Sequence, residues 1–121
     1  MFPSDLELLY HILDEIDFIL ENYAAKHYTE IENDPLLSRA VIRSLEIIGE
    51  ASKKISPELK NTYPTIEWRK IAGTRDRLIH NYFGIDYDIV IDIIQSKLPD
   101  LKFFIKEIIV RYQSKDSARE S

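Results

Sequence analysis

An all-α bundle of about five helices with short connections is the fold this sequence predicts. Three observations carry the prediction. Apolar residues recur at steps of three and four in several separate stretches, the spacing of one helix face. Capping residues stand where those stretches begin. Nowhere does a sustained period-two pattern suggest a strand. The chain has 121 residues and no cysteine. That length predicts one domain able to bury roughly 65% of its unfolded surface, a core that needs no covalent staple.

The elements follow in order. Ser4 is the expected N-cap of the first helix, and Glu7 completes a capping box three residues on. Leu6, Leu9, Leu13, Ile16, Leu20 and Tyr23 then form an apolar seam in alternating steps of three and four. Tyr10, Ile12 and Ile19 lie beside that seam and widen the apolar surface, enough for two neighbours or a subunit contact. Asp34-Pro35 reads as an N-cap followed by proline in the first helical position. The second helix runs to about Lys54, with Leu37, Val41, Leu45, Ile48 and Ala51 or Ser52 inward. Gly49 in its interior costs about 1 kcal/mol relative to alanine, which suggests a close helix approach. Ser56-Pro57 opens a short helical turn, and Tyr63-Pro64 ends it.

A fourth helix is expected from about Ile66 to Tyr82, with Trp68, Ile71, Ala72, Leu78, Ile79 and Tyr82 as its apolar face. Gly84 suits a left-handed C-terminal cap. Asp86 caps the following helix, whose core residues are Tyr87, Val90, Ile91 and Ile94. Pro99 marks a break or kink. Leu101, Phe104, Ile105, Ile108 and Ile109 carry the last helix. Residues 1–113 make the domain, and the polar stretch 114–121 is expected to be a disordered tail.

Composition narrows the function classes. Without cysteine there are neither disulfides nor thiolate metal sites. Acidic residues Asp5 and Glu7 stand where a signal peptide would be basic, and no apolar run approaches the roughly 18 residues of a membrane span. The expectation is a cytoplasmic protein with no membrane partner. The net charge of −5 weighs against a nucleic-acid partner. Its distribution does not: residues 1–38 sum to −8, residues 39–80 to +4 and residues 81–121 to −1. Solvated helix faces account for such a basic third as well as an anion-binding surface does.

The basic third holds the stretch richest in chemistry, Arg75-Asp76-Arg77-Leu78-Ile79-His80-Asn81-Tyr82. It reads R-x-x-x-x-H-x-Y and can supply a phosphate clamp, a proton-transfer group and a modifiable hydroxyl. On an ideal wheel Arg75 falls within about 20° of Trp68 and Tyr82, so it shares the apolar face and needs an anion or another partner. A salt bridge to Glu46 or Glu50 of the second helix is the structural alternative. His80 lies about 140° from Arg75, so one straight helix does not converge the two. Asp76, four residues before His80, can hold the imidazole and raise its pKa. His11 and His27 lack such surroundings and read as structural. No metal-ligand cluster is seen, so neither metal nor cofactor is expected.

Arg75, His80 and Tyr82 stand between Trp68-Arg69-Lys70-Ile71-Ala72-Gly73 and Phe83-Gly84-Ile85-Asp86. In this setting the chain resembles the HepT-like branch of the HEPN-domain ribonucleases. The likeness extends to Arg43-Ser44-Leu45-Glu46-Ile47-Ile48-Gly49-Glu50-Ala51 and to Leu98-Pro99-Asp100-Leu101-Lys102, and covers most of residues 5–112. It implies a HEPN-type helical bundle and a ribonuclease toxin of a type VII toxin–antitoxin pair, with Arg75 and His80 catalytic. It also implies an MNT-type nucleotidyltransferase antitoxin that adds AMP to Tyr82. Metal-free RNA cleavage needs a base for the 2′-hydroxyl, an acid for the leaving oxygen and charge stabilisation at phosphorus. One motif offers one histidine, so a two-fold homodimer is expected, with the wide apolar surfaces of the first and fourth helices as its contact. Two other readings stay open: a non-catalytic module that binds a nucleotide or a partner, and a plain interaction bundle with Arg75 salt-bridged for structure.

Overall fold

The computed structural model describes residues 4–23, 28–78 and 85–120; within these, the side chains of residues 28, 29, 75 and 115–120 are excepted. Among the described residues the fold is all-helical. The elements are α1 (Asp5–Tyr23), α2 (Tyr28–Asn33), α3 (Pro35–Lys54), α4 (Pro57–Thr62), α5 (Trp68–Ala72), α6 (Thr74–Leu78), α7 (Tyr87–Asp92) and α8 (Leu98–Glu120). A π-turn, Ile93–Lys97, joins α7 to α8. None of these helices is long and apolar enough to cross a membrane.

The caps form as their residue types dictate. The Ser4 hydroxyl accepts from the Glu7 amide at 3.2 Å. The Asp34 carboxylate accepts from the amides of Leu36 and Leu37 at 3.0 and 3.2 Å, and proline follows at the first helical position. Ser56 caps α4 by accepting from Leu59 N, and its own amide donates to Asp5 at 3.0 Å, tying α4 to the start of α1. Asp86 accepts from Asp88 N and Ile89 N to start α7.

The core lies among α1, α3 and α8, with α5, α6 and the α7–π-turn segment closing one side. The buried stripe of α1 is Leu8, Leu9, Ile12, Ile16, Ile19 and Tyr23. This rotates the expected seam. Leu6, Leu13 and Leu20 are only partly covered, while Ile12 and Ile19, expected beside the seam, have 0% exposure. The reason is that α1 packs against both α3 and α8, so its inward face is set by two neighbours. An Asp17–Lys102 ion pair at 2.7 Å and a Gln113–Tyr10 hydrogen bond at 2.8 Å join α1 to α8 along their edges.

On α3 the inward face is Ser38, Val41, Leu45, Ile48, Ala51 and Ser52, with Gly49 also buried. Gly49 is where α5 comes close: a Cβ there would meet the Ile71 and Ala72 carbonyl oxygens at 3.2 and 3.4 Å. The hydroxyls of Ser38 and Tyr87 hydrogen bond, linking α3 to α7.

Three further features differ from expectation or extend it. The helix expected over residues 66–82 is broken: α5 ends at Ala72, Gly73 forms a turn, and α6 restarts at Thr74. Pro99 neither ends nor sharply interrupts the C-terminal helix. It sits in the first turn of α8, just after the π-turn, where Leu98 N–H donates to Ile93 O. A proline ring crowds the carbonyl four residues back, and a wider turn there relieves the crowding. Finally, α8 continues to Glu120, so no break in the backbone marks the domain end expected at residue 113.

Candidate active site

The site is built around α6. Five residues do not make a stable helix alone, because nucleation costs more than one turn returns. This one is held by its neighbours. Leu78 is fully buried and Thr74 nearly so, which places the i and i+4 positions of α6 on the core side. Thr74 Oγ1 donates to Lys70 O at 3.2 Å, and Arg77 N–H donates to Gly73 O at 3.2 Å, so α6 hangs directly from the end of α5. Trp68, buried at the start of α5, donates from its indole nitrogen to Tyr63 O at 3.1 Å and anchors that helix. Both α5 and α6 lie against α3.

Arg75 has its backbone in α6, between buried Thr74 and exposed Asp76. The expected shared phase of Arg75 with Trp68 assumed one continuous helix, and the structure divides that segment at Gly73. The suggested partners of Arg75 have neighbours of their own: Glu46 pairs with Arg43 at 3.4 Å and Glu50 with Lys53 at 3.6 Å, each within α3. The expected Gly84 cap, His80 and Tyr82 lie outside the described residues, as does His27. The described ends of that segment do meet: Asp86 N–H donates to Leu78 O at 3.1 Å, and α6 packs on α7.

Several cations of the basic third are spent within helices. Lys70 pairs with Glu67 at 2.7 Å, beside the two pairs of α3. That hydrogen-bonded ammonium holds the Glu67 carboxyl below its usual range, with Lys97 and Arg77 adding to the effect. Arg69 and Arg77 are exposed on the α5–α6 surface. Among the described residues neither Arg77 nor Lys97 has an ion pair within 4 Å.

Beside α6 runs a groove of about 230 Å³ between α3, α5, α6, the π-turn and the start of α8. Its floor is aliphatic, from Ile48, Ile66, Ile71 and Leu101, with the half-buried ring of Phe104 at one side. Lys70, Arg77 and Lys97 stand along it with Glu67 and Asp100. Lys97 was not among the residues singled out from the sequence. It reaches this groove on the π-turn, whose extra residue shifts the phase that a regular helix would give.

The large apolar side chains exposed among the described residues are Tyr10 and Phe18 on α1, Leu36 on α3, and Phe103 and Val110 on α8. None lies on the described part of the segment expected as a fourth helix, residues 66–78, and four of the five lie on α1 and α8.

Comparison with known proteins identifies the family. Residues 12–108 match the family model described as ribonuclease HepT-like. A protein of Caldanaerobacter subterraneus subsp. tengcongensis named "Putative RNase" is 43% identical over 101 residues, covering 84% of this chain and 90% of that protein. A "Putative RNase" of Methanocaldococcus jannaschii is 40% identical over 108 residues, covering 89% of each chain. A "Probable ribonuclease HepT" of Thermococcus cleftensis is 39% identical over 102 residues, covering 84% of this chain and 93% of that one. No solved structure matches the chain at a significant level. On the extent of the family match and the near-full coverage of these relatives, the chain belongs to the HepT-like ribonuclease family.

Proposed function

We propose that this chain is a metal-independent endoribonuclease that acts as the toxin of a type VII toxin–antitoxin pair in the cytoplasm. The observation that carries the reading is that the family match, residues 12–108, contains the whole R-x-x-x-x-H-x-Y motif at 75–82. Arg75 supplies a planar, always-charged fork for the scissile phosphate. His80 moves the proton, as base for the attacking 2′-hydroxyl in one motif and as acid for the leaving oxygen in the other. Two motifs require two chains, so the working species is a two-fold dimer. The aromatic and aliphatic side chains left exposed on α1 and α8 offer apolar surface for that contact.

Asp76, four residues before His80 in the sequence, is the residue assigned to hold its imidazole. Tyr82 is the control point. An MNT-type nucleotidyltransferase antitoxin transfers AMP to its hydroxyl, and the added bulk and negative charge beside the phosphate clamp exclude RNA.

The test is RNA cleavage by the full chain and by its His80→Ala variant, each with excess chelator. The wild type is expected to cut equally with and without chelator. His80→Ala is expected to lose cleavage with a stability change of about 1 kcal/mol or less. Wild-type rates from the variant would overturn the role of His80. RNA bound but never cut by the wild type would favour a non-catalytic binding module.

A further inference from the structure

The groove beside α6 has two kinds of surface that a nucleotide unit also has. Its floor is aliphatic with an aromatic ring at one side, and its cations lie along it. At about 230 Å³ it is smaller than the roughly 300–1,000 Å³ of sites for drug-sized ligands, which suits a single base. Glu67 is already engaged by Lys70, leaving Arg77 and Lys97 against Asp100, a surplus of positive charge. Thr74 and Arg77 of the lining flank Arg75 in sequence on α6, so the groove adjoins the proposed catalytic motif. The π-turn supports the same assignment. Such turns are concentrated at functional sites, and this one brings Lys97 to the groove from the C-terminal half of the chain.

We propose that this groove holds one unpaired base of the RNA strand next to the cut, packed on Ile71 and Leu101 beside Phe104, with a neighbouring phosphate on Arg77 and Lys97. The proposal rests on the ribonuclease reading. An unpaired base has a flat face that stacks on an aromatic ring such as Phe104 and packs on aliphatic side chains such as Ile71 and Leu101, in neither case with regard to sequence. The two cations take the backbone charge and release counterions. The base subsite therefore gives the enzyme a single-strand requirement, because a base held in a duplex cannot enter the groove.

A free nucleoside monophosphate offers the same base and phosphate, so the experiment uses both sources. The full chain carries 13C-methyl labels on isoleucine and leucine. It is titrated with a short single-stranded RNA, made uncleavable by 2′-O-methyl groups, and separately with AMP and with UMP. Methyl signals of Ile66, Ile71 and Leu101 are expected to shift on RNA addition, while those of buried Ile12 and Ile16 stay in place. Saturation is expected at an RNA concentration at least about tenfold below that needed for either monophosphate, since the strand adds further phosphate contacts.

Lys97→Gln and Arg77→Gln should each flatten the dependence of log affinity on log salt by about 0.7, the value for one phosphate on a single strand. They should also raise KM for RNA cleavage while leaving kcat in place. A purely structural role would not change the salt slope. Groove methyls that stay fixed while wild-type chain cuts RNA would overturn the subsite and leave the ribonuclease reading standing. Groove methyls that move in a chain unable to cut RNA would overturn the ribonuclease reading and keep the base site. Saturation by AMP or UMP at lower concentration than RNA would make this a free-nucleotide site and overturn the RNA assignment.

Discussion

Replacing Gly49 by alanine sets two effects against each other. In an exposed helix the change gains about 1 kcal/mol of helix propensity. Here the new methyl meets the backbone of α5, 3.2 Å from the Ile71 carbonyl oxygen and 3.4 Å from that of Ala72. Neither oxygen is the end of a flexible side chain. To make room, α5 must move away from α3 by a few tenths of an ångström, and α6 follows because it hangs from α5. Inserting a carbon into a close-packed contact costs about 1–3 kcal/mol. With propensity subtracted, the expected outcome is a net loss of about 1 kcal/mol and a melting temperature about 4 °C lower. Gly49→Val should lose about 3 kcal/mol or more, since it adds bulk at the same contact without the propensity gain. Urea unfolding followed by circular dichroism measures both. Cleavage by Gly49→Ala should fall more than stability does, because Arg75 rides on the displaced helix. A Gly49→Ala chain more stable than wild type by the full propensity gain would refute the close approach of α3 and α5.

Three further outcomes follow from the same structure and the reading built on it. Tyr82→Phe should keep cleavage but escape the nucleotidyltransferase, and mass measurement of the motif peptide after co-expression checks for the missing AMP. Adding excess His80→Ala chain to wild type should lower the activity per wild-type chain, because a mixed dimer holds only one of the two histidines the reaction needs; a strict monomer at micromolar concentration sinks the dimer. Burial, with the Asp34 carboxylate adding, holds the Tyr23 hydroxyl above its ordinary pKa of about 10. Its neutral form is therefore favoured by folding, a contribution fully present below about pH 10 and lost as pH rises further. Tyr23→Phe should flatten the stability loss on that alkaline limb, and unchanged alkaline melts would exclude the effect.

Local signals were the legible ones. Asp34, Ser56 and Asp86 act as caps because capping depends on a side chain and amides two or three residues away. Gly49 was readable because a glycine inside a strong helix asks for a neighbour. The phase of α1 was not. Two apolar ladders overlap on it. One is Leu6, Leu9, Leu13, Ile16, Leu20 and Tyr23; the other is Leu8, Leu9, Ile12, Ile16, Ile19 and Tyr23, and the packing of α3 and α8 chooses between them. The break at Gly73 was hidden because Trp68, Ile71 and Ala72 lead in helical steps toward Leu78. The short helix α2 gave little warning, having no cap pattern and Ile31 as the buried residue among its described side chains. Lys97 was missed for a related reason: one extra residue in the π-turn rotates all that follows by about 100°, and periodicity counted on a regular helix cannot register that.

The turn at Gly73 bears on when the chain can become active. A motif on one long helix would take shape as soon as that helix formed. The motif's described start, residues 75–78 on α6, has surroundings drawn from distant parts of the chain: α3, and the Asp86 amide that meets Leu78 O. During synthesis, α3 emerges before the motif and α7 after it. A ribosome-bound chain that has just exposed Arg75 therefore still lacks one wall of the housing for α6. On the ribonuclease reading, such a chain carries Arg75 without the full surroundings α6 has in the folded protein, so activity is expected to follow completion of the bundle.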